Sequence, residues 1–333
     1  TQPEPLVPRH HRFEITERLD HLGDVVTPLN EVEVAELVDA IKTLQPEAVA
    51  ICFLHAYANP VHEKRLAELL RDQLSDVLVS ASHEIVREFR EYERTSTTVL
   101  NSYTQPRMSR YLGRLRSRLD GRDYQGAFTI MQSSGGITTS QVAGNAPIRT
   151  IQSGPAGGAI GAAALGRELG LDNIVAADVG GTTFDVALIA NGTSLERTST
   201  ELGRRAVLQP TIDIASVGAG GGSIAYIDEE GGVQVGPRSA QAEPGPACFG
   251  LGGTEPTVTD AQVMLGYLDP NEYLGRRMQL DVEAARAALL TNVATPLGLS
   301  VEAAAAGVVH LANMNMVHAI RQVTIERGHD PRE

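Results

Sequence analysis

The chain has 333 residues, of which 42% are hydrophobic and 21% charged, as is typical of folded globular proteins. Its formal net charge of −13 argues against a nucleic-acid partner, because binding a phosphate backbone needs a basic face. The two cysteines, Cys52 and Cys248, lack the spacing of a metal site or a disulfide framework, and no unbroken apolar stretch reaches the roughly 18 residues of a membrane span. We therefore expect a cytoplasmic protein without a nucleic-acid or membrane partner.

The first 131 residues alternate helical and strand patterns after a stretch, residues 1–23, that shows no period. Asn30 and Glu33 are predicted to form a capping pair at the start of a helix. In the helical stretch 91–119 we expect an interruption near Pro106, because proline lacks a backbone donor. The other elements predicted here are a helix that opens at Asn59-Pro60 and strands over 48–54, 77–79 and 127–131.

The rest of the chain combines a glycine-rich middle with helices near its end. A helix with small residues on its faces is predicted over 155–169, and Asn191-Gly192 marks a hairpin turn after the strand Phe184–Ala190. Further strands are expected over 173–178, 206–214 and 223–227. Further helices are expected over 259–267, 281–290 and 300–327. Alternating helices and strands predict an α/β fold.

The segment with the most chemical content is Asp178–Asp185, which reads DVGGTTFD. Gly180 and Gly181 leave the backbone N–H groups at the tip of a turn free to face an anion, and Thr182 and Thr183 add hydroxyl donors. The two terminal carboxylates would repel a phosphate directly, so a bridging Mg²⁺ with its bound water is the expected partner. One carboxylate could also orient or deprotonate a nucleophile. A tight acidic hairpin without a ligand is the alternative.

The strand after these glycines distinguishes the segment from Rossmann and P-loop motifs, in which a helix follows. A second cluster, Gly218–Gly222, either lines a nucleotide cleft or forms a turn that permits close strand packing. A third glycine-rich stretch, Cys248–Gly253, precedes a helix for which we expect a structural cap from Thr259 or Asp260.

Several motifs carry a resemblance to a known family. DVGGTTFDVALI resembles the second phosphate loop of the actin, Hsp70 and sugar-kinase superfamily. Longer segments within residues 24–332 resemble the hydantoinase A/5-oxoprolinase family (N-methylhydantoinase A-like proteins). They are REYERTSTTVLNSY, MQSSGGI, SGPAGGAIGA, GAGGGSIA, GPACFGLGGTEPTVTDA and IRQVTIERGHDPR. This resemblance implies actin-like (ribonuclease H-like) ATPase lobes with mixed sheets flanked by helices. Residues 1–150 would be the remainder of an N-terminal hydantoinase/oxoprolinase lobe, and 151–333 a C-terminally truncated hydantoinase A ATPase lobe.

The resemblance also implies a function, ATP-dependent hydrolysis of a cyclic amide of the hydantoin or 5-oxoproline type. The chain would be the A-type subunit, with ATP and Mg²⁺, acting in an oligomer with a B-type subunit or a fused B domain. Asp178 would hold Mg²⁺ through bound water or act as a base, and Asp185 would support the same cluster. The implied nucleotide-binding residues are Gly180, Gly181, Thr182, Thr183, Gly218, Gly220, Gly221 and Gly222. The alternatives are a subunit of an ATP-dependent ketone (acetone or acetophenone) carboxylase, a sugar or acetate kinase, and a non-enzymatic Hsp70-like nucleotide switch.

Three features qualify that expectation. Family members commonly carry a histidine where this chain has Ala215, which leaves the substrate open. The family's first phosphate loop, and the adenosine-contacting segment that follows ERGxDPR, lie outside these residues, so we expect the chain alone to have little or no ATPase activity. Among single residues, Cys52 is expected to be an inert buried thiol, Glu91 and Arg94 are expected to pair, and His310 and His318 to pack or lie on the surface.

Overall fold

The computed structural model describes residues 4–332 and alternates helices and strands along most of that length. The α-helices are α1 (Glu31–Leu44), α2 (Val61–Gln73), α3 (Ser82–Ile85), α4 (Glu91–Asp120), α5 (Ser140–Asn145), α6 (Ser153–Leu169), α7 (Val258–Met264), α8 (Val282–Leu289), α9 (Thr295–Leu297) and α10 (Val301–Val323). The strands are β1 (Arg18–Leu19), β2 (Val25–Thr27), β3 (Ala48–Ile51), β4 (Leu78–Ala81), β5 (Thr129–Met131), β6 (Ile137–Thr139), β7 (Ile174–Val179), β8 (Phe184–Ala190), β9 (Thr193–Ser194), β10 (Glu196–Arg197), β11 (Thr200–Leu202), β12 (Arg205–Val207), β13 (Thr211–Ile212), β14 (Ile214–Val217), β15 (Ser223–Ile227) and β16 (Val233–Ser239).

The chain divides into two compact units. Unit 1 consists of the residues up to Gly157 together with Glu196–Ile212, and unit 2 of Gly158–Leu195 and the residues from Asp213 onward. A short central segment therefore belongs with the first unit. Assigning the two parts of the chain, divided at residue 150, to named family lobes stays a prediction.

Unit 1 is built on the parallel pair β3–β4, which is covered by α1 and α2. Apolar residues of α1 recur at helical spacing, so one face packs into the core through Val34, Leu37 and Val38. The helix begins after Asn30, whose side-chain oxygen accepts from the Val32 N–H, and the Asn30 amide donates to Glu33 at 2.8 Å. The predicted capping pair is confirmed.

The interruption expected near Pro106 is absent from the longest described helix, α4. This helix is 30 residues long in total and continues through Pro106 without a break. A proline inside a helix removes one hydrogen bond. Here Gln105 and Pro106 are buried in the part of α4 that packs against β3 and β4, and Leu100 packs in a core cluster with Ile85 and Ile148. This packing offsets the loss.

The expected pair between Arg94 and Glu91 does not form, because Arg94 has other partners. Its side chain is only 1% exposed, and its guanidinium donates to the carbonyl oxygens of Phe53 at 2.6 Å and Glu88 at 3.1 Å. The same group lies over the Tyr57 ring, 5.6 Å from its centroid. The helix therefore directs this arginine inward, where backbone carbonyls replace a carboxylate as its acceptors.

Unit 2 contains an antiparallel sheet in the order β14–β8–β7, with β9 paired to β8. One face of this sheet packs against α10, because Phe184 and Val186 share a core cluster with Ala319 and Val323. A second core lies under the β15–β16 hairpin and joins it to α7, α8 and the first half of α10. The helical segment Val301–Arg327 is long and apolar enough to pass a length-and-composition test for a membrane span, but its buried face serves these two cores.

The strand predicted over 206–214 is instead divided among β12, β13 and β14. Pro210 lies between the first two of these strands and cannot donate to a ladder, which explains the division. The overall content, mixed sheets flanked by helices, confirms the predicted α/β class.

Candidate functional site

The DVGGTTFD segment forms the predicted strand, turn and strand in unit 2. Strands β7 and β8 pair antiparallel, and the register places Asp178 directly opposite Asp185. The Gly180 N–H donates to the Thr183 carbonyl at 2.8 Å and closes the turn between them. Gly181 and Thr182 are exposed at its tip, where backbone amides can face an anion.

The two aspartates lie on the same face of the sheet. Residues directly opposite on neighbouring strands point to one side, with Cβ atoms about 4.5–5.5 Å apart. Asp178 is exposed, whereas Asp185 is half-buried and accepts a hydrogen bond from the Thr183 hydroxyl at 3.0 Å. Ser216 of β14 pairs with Asp185 from the other side, so a polar row crosses the sheet. Like charges directly opposite are destabilising, which favours a cation between these carboxylates.

The donor set fits Mg²⁺ bound together with a phosphorylated ligand. Magnesium is commonly held by one or two carboxylates, with waters and substrate phosphates completing its octahedron. No group of three or more His, Cys, Asp or Glu side chains arranged to hold a metal occurs in residues 4–332. The remaining ligands at Asp178 and Asp185 would therefore come from water and from the phosphates.

The second glycine cluster packs directly on the turn. Gly221 and Gly222 donate from their backbone N–H groups to the carbonyl oxygens of Gly180 at 3.0 Å and Gly181 at 2.6 Å. A Cβ atom added to Gly220 would lie 2.6 Å from the Gly180 oxygen, closer than real Cβ contacts allow. Close strand packing was one of the two alternatives that the sequence left open for this cluster. Gly218 packs in the same way against Pro237, since a Cβ there would lie 2.8 Å from its Cα. Direct contact of these glycines with a nucleotide stays a prediction.

The third glycine stretch has a structural role, as expected, and Asp260 takes part in the helix cap, as one of the two expected residues. Thr257 caps α7 and forms a capping box with Asp260. The fully buried Asp260 carboxylate also accepts from the N–H groups of Ala247 at 3.2 Å and Cys248 at 2.8 Å. Thr259 instead donates its hydroxyl to the Gly221 carbonyl at 2.8 Å. The start of α7 therefore holds the second glycine cluster in place.

Ala215 lies away from the two aspartates. It pairs with Val186 across β14 and β8 and packs partly buried in the cluster that contains α10. Successive residues of a strand point to opposite faces. A histidine at this position would therefore point to the α10 side of the sheet, whereas Ser216 and Asp185 point to the other side.

Sequence reasoning missed Ser239, at the end of β16. Its hydroxyl donates to the Thr182 hydroxyl oxygen at 3.3 Å. The two residues are 57 positions apart, and no local pattern signals their contact. Ser239 also lines a groove of about 420 Å³ in unit 2, which the sequence did not indicate.

Neither cysteine has the lowered pKa that a reactive thiol needs. Desolvation, together with the nearby Glu63 carboxylate, raises the pKa of the Cys52 thiol to about 11, which agrees with the expected inert thiol, although the residue is half-buried rather than buried. Burial and the neighbouring Asp260 also raise the pKa of Cys248. His310 and His318 are exposed on α10, in agreement with the surface role expected for them.

Comparison with known proteins identifies the family to which the chain is similar. The family model described as Hydantoinase/oxoprolinase matches residues 94–333, and the model of the Hydantoinase/oxoprolinase N-terminal region matches residues 2–74. The chain is 42% identical to caprolactamase subunit alpha of Pseudomonas jessenii, over 98% of this chain and 47% of that protein. It is 39% identical to the acetophenone carboxylase gamma subunit of Aromatoleum aromaticum, over 100% of this chain and 46% of that protein.

Two solved structures resemble the chain over 99% of its length. Nucleotide-free acetone carboxylase superposes with a TM-score of 0.89 at 33% identity and is covered over 47% of its own chain. The ATP-dependent caprolactamase of Pseudomonas jessenii superposes with a TM-score of 0.79 at 42% identity and is covered over 48%. The actin-like α/β fold class is confirmed. The chain spans about half the length of these relatives.

Proposed function

The chain belongs to the hydantoinase/oxoprolinase family, and we propose that it supplies the phosphate-binding hairpin of an A-type subunit that uses ATP to hydrolyse a cyclic amide. The observation that carries this proposal is the cross-strand pair Asp178–Asp185 beside an exposed glycine turn. Two opposed carboxylates next to free backbone amides suit a magnesium-bound polyphosphate. Relatives named as an ATP-dependent caprolactamase and as 5-oxoprolinases support the class of substrate.

The two aspartates would have different tasks. Thr183 fixes the Asp185 carboxylate, so this residue would be the anchor that stays in place through the reaction. Asp178 is exposed and can reach water or substrate, so it would orient or deprotonate the nucleophile. Mg²⁺ held by these carboxylates would neutralise phosphate charge. The glycine cluster behind the turn would keep its amides in position.

Coupling to ATP has a chemical reason. An amide resists attack by water because its nitrogen donates electron density into the carbonyl group. Transfer of the γ-phosphoryl group to the amide oxygen releases ADP and makes the carbon electrophilic. Water then adds to that carbon, and the ring C–N bond breaks as the nitrogen takes a proton, which leaves an acyl phosphate. A second water hydrolyses this acyl phosphate to the carboxylate and free phosphate. The protein's own contribution is to hold phosphate and amide oxygen in line and to exclude competing water.

The test is ADP release by the full-length protein with its partner subunit, with and without hydantoin, 5-oxoproline or caprolactam. We expect one cyclic amide to stimulate release, and Asp185→Asn to lower the stimulated rate by about 100-fold or more, as is usual when a positioned charged group is lost. The matched control is Asp172→Asn, an exposed aspartate just before β7, which should keep the wild-type rate. Equal losses in both variants would contradict the assignment.

A ketone carboxylase subunit is the second candidate, favoured by the likeness to acetophenone and acetone carboxylases. In that case a ketone with bicarbonate, and no cyclic amide, would stimulate ADP release. ATP hydrolysis indifferent to every one of these compounds would instead indicate a nucleotide switch.

We also propose that the protein works in the cytoplasm, in an oligomer with a B-type subunit or fused B domain. Relatives named as subunits support a partner. The 333-residue chain alone is expected to have little ATPase activity, and robust magnesium-dependent turnover by it would refute that.

A further inference from the structure

The groove beside Ser239 has the size and position of a small-molecule site. Its walls are the end of β16, the turn that follows it and the segment before α7, and its volume is about 420 Å³. Sites for small ligands typically occupy about 300–1,000 Å³. None of the functions assigned above to the hairpin uses this groove.

One residue connects the groove to the phosphate-binding turn. Ser239 lines the groove and donates to the Thr182 hydroxyl oxygen at 3.3 Å. The next residue, Ala240, donates from its N–H to the Gly222 carbonyl at 2.9 Å, which fastens this wall to the glycine cluster. A ligand in the groove would therefore have the hairpin tip at one end, where a terminal phosphate of ATP would lie.

Gln241 gives the groove a specific donor and acceptor. Its backbone has φ of +57°, a conformation that non-glycine residues rarely adopt and that tends to occur at functional sites. The residue is exposed and is one of those that line the groove. A ring amide is held cis, so its N–H and C=O point along one edge. A primary carboxamide matches that edge with two hydrogen bonds, one donated and one accepted.

The charges around the groove disfavour an anionic ligand. Arg238 is already paired with Glu255 at 2.5 Å, and Glu243 adds a further carboxylate. One arginine against two glutamates leaves the lining with a net charge of −1. A carboxylate-bearing ring such as 5-oxoproline would meet this excess of negative charge, whereas a neutral lactam or hydantoin would not.

We propose that this groove binds the amide edge of a neutral cyclic amide through the Gln241 carboxamide and directs its carbonyl oxygen toward Ser239 and Thr182. The proposal rests on the cyclic-amide function proposed above and names the substrate subsite and its charge preference. It makes Gln241 a residue that determines specificity, because the carboxamide would contact the substrate.

The test uses the full-length protein with its partner subunit and follows ADP release with caprolactam as the probe. Two lost hydrogen bonds predict that Gln241→Leu raises the KM for caprolactam about 10- to 100-fold while the KM for ATP changes less than about twofold. The matched control, Gln73→Leu at the exposed end of α2, should leave both values unchanged. An unchanged KM for caprolactam, or a raised KM for ATP alone, would overturn the proposal and assign the groove to another ligand or to the nucleotide.

A second variant tests the charge argument independently. Glu255→Gln releases Arg238 from its ion pair, so preference should shift several-fold from caprolactam toward 5-oxoproline. No change in that ratio would contradict the charge argument. If no cyclic amide stimulates ADP release in the wild type, the proposed function fails on its own. In that case, isothermal titration calorimetry of caprolactam with the wild type and with Gln241→Leu still tests the groove. Weaker binding to the variant would support the lactam site, and equal or absent binding would contradict it.

Discussion

The Gly220→Ala substitution would place a methyl group between the second glycine cluster and the β7–β8 turn for which we propose phosphate binding. The added Cβ would lie 2.6 Å from the Gly180 oxygen and 2.7 Å from the carbonyl carbons of Gly181 and Thr182, all of them backbone atoms that cannot rotate away. The two segments must separate, which weakens the bonds from Gly221 and Gly222 to the turn. Two backbone hydrogen bonds at about 1 kcal/mol each, and about 1–3 kcal/mol of steric strain, predict a loss of about 3–5 kcal/mol in the free energy of unfolding.

The assay is urea denaturation of the full-length protein, followed by a probe in unit 2. Gly181→Ala is the matched control, because it lies in the same turn but its Cβ would have no neighbour within 4 Å. It should change the free energy of unfolding by less than about 1 kcal/mol. Equal destabilisation by the two variants, or none by Gly220→Ala, would refute the argument that close backbone packing explains the glycine at 220.

Three further predictions concern buried and titrating groups. Glu63 is fully buried, and its carboxylate accepts from two backbone N–H groups, a hydroxyl and an imidazole. Glu63→Ala should therefore lower the free energy of unfolding by about 3 kcal/mol or more, as measured by urea denaturation. Cys52 and Cys248 should resist iodoacetamide at pH 8 in the native protein and react after unfolding, as read by mass spectrometry, because their raised pKa values keep the thiols protonated. Desolvation raises the pKa of Glu84, but the Arg71 guanidinium outweighs it and holds that pKa below the ordinary 4.5. This pair's stabilisation should therefore be complete above pH 4.5 and disappear as pH falls through the lower folded value, and Glu84→Gln should flatten the thermal stability profile in that window.

Local patterns were sufficient wherever neighbouring residues decide the conformation. The alternating FDVALIA pattern and the Asn191-Gly192 turn indicated a strand after the glycines, and β8 is that strand. Asn30 indicated where α1 begins. The motif around Asp178 and Asp185 could be located as a candidate site for the same reason, since its glycines, threonines and carboxylates lie within eight residues.

Local patterns failed where packing against distant segments outweighs local preference. Pro106 breaks an isolated helix, yet α4 continues through it because both sides of the proline are held in a core. Arg94 is three residues from Glu91 in a helix, yet it turns inward to carbonyl groups brought from elsewhere in unit 1. Neither outcome can be derived from a window of neighbouring residues.

The sequence by itself determined the class of fold, the family and the position of the candidate glycine turn between Asp178 and Asp185, because these depend on composition and on short-range order. Only the tertiary structure decided that Asp178 and Asp185 stand opposite each other, that Gly220 braces the turn, and that Ala215 points to the other side of the sheet. It also formed the groove of Gln241 from segments that are apart in the chain. Strand register and close backbone contacts are set by the packing of separate segments, and the free energy of that packing is not encoded in any single stretch.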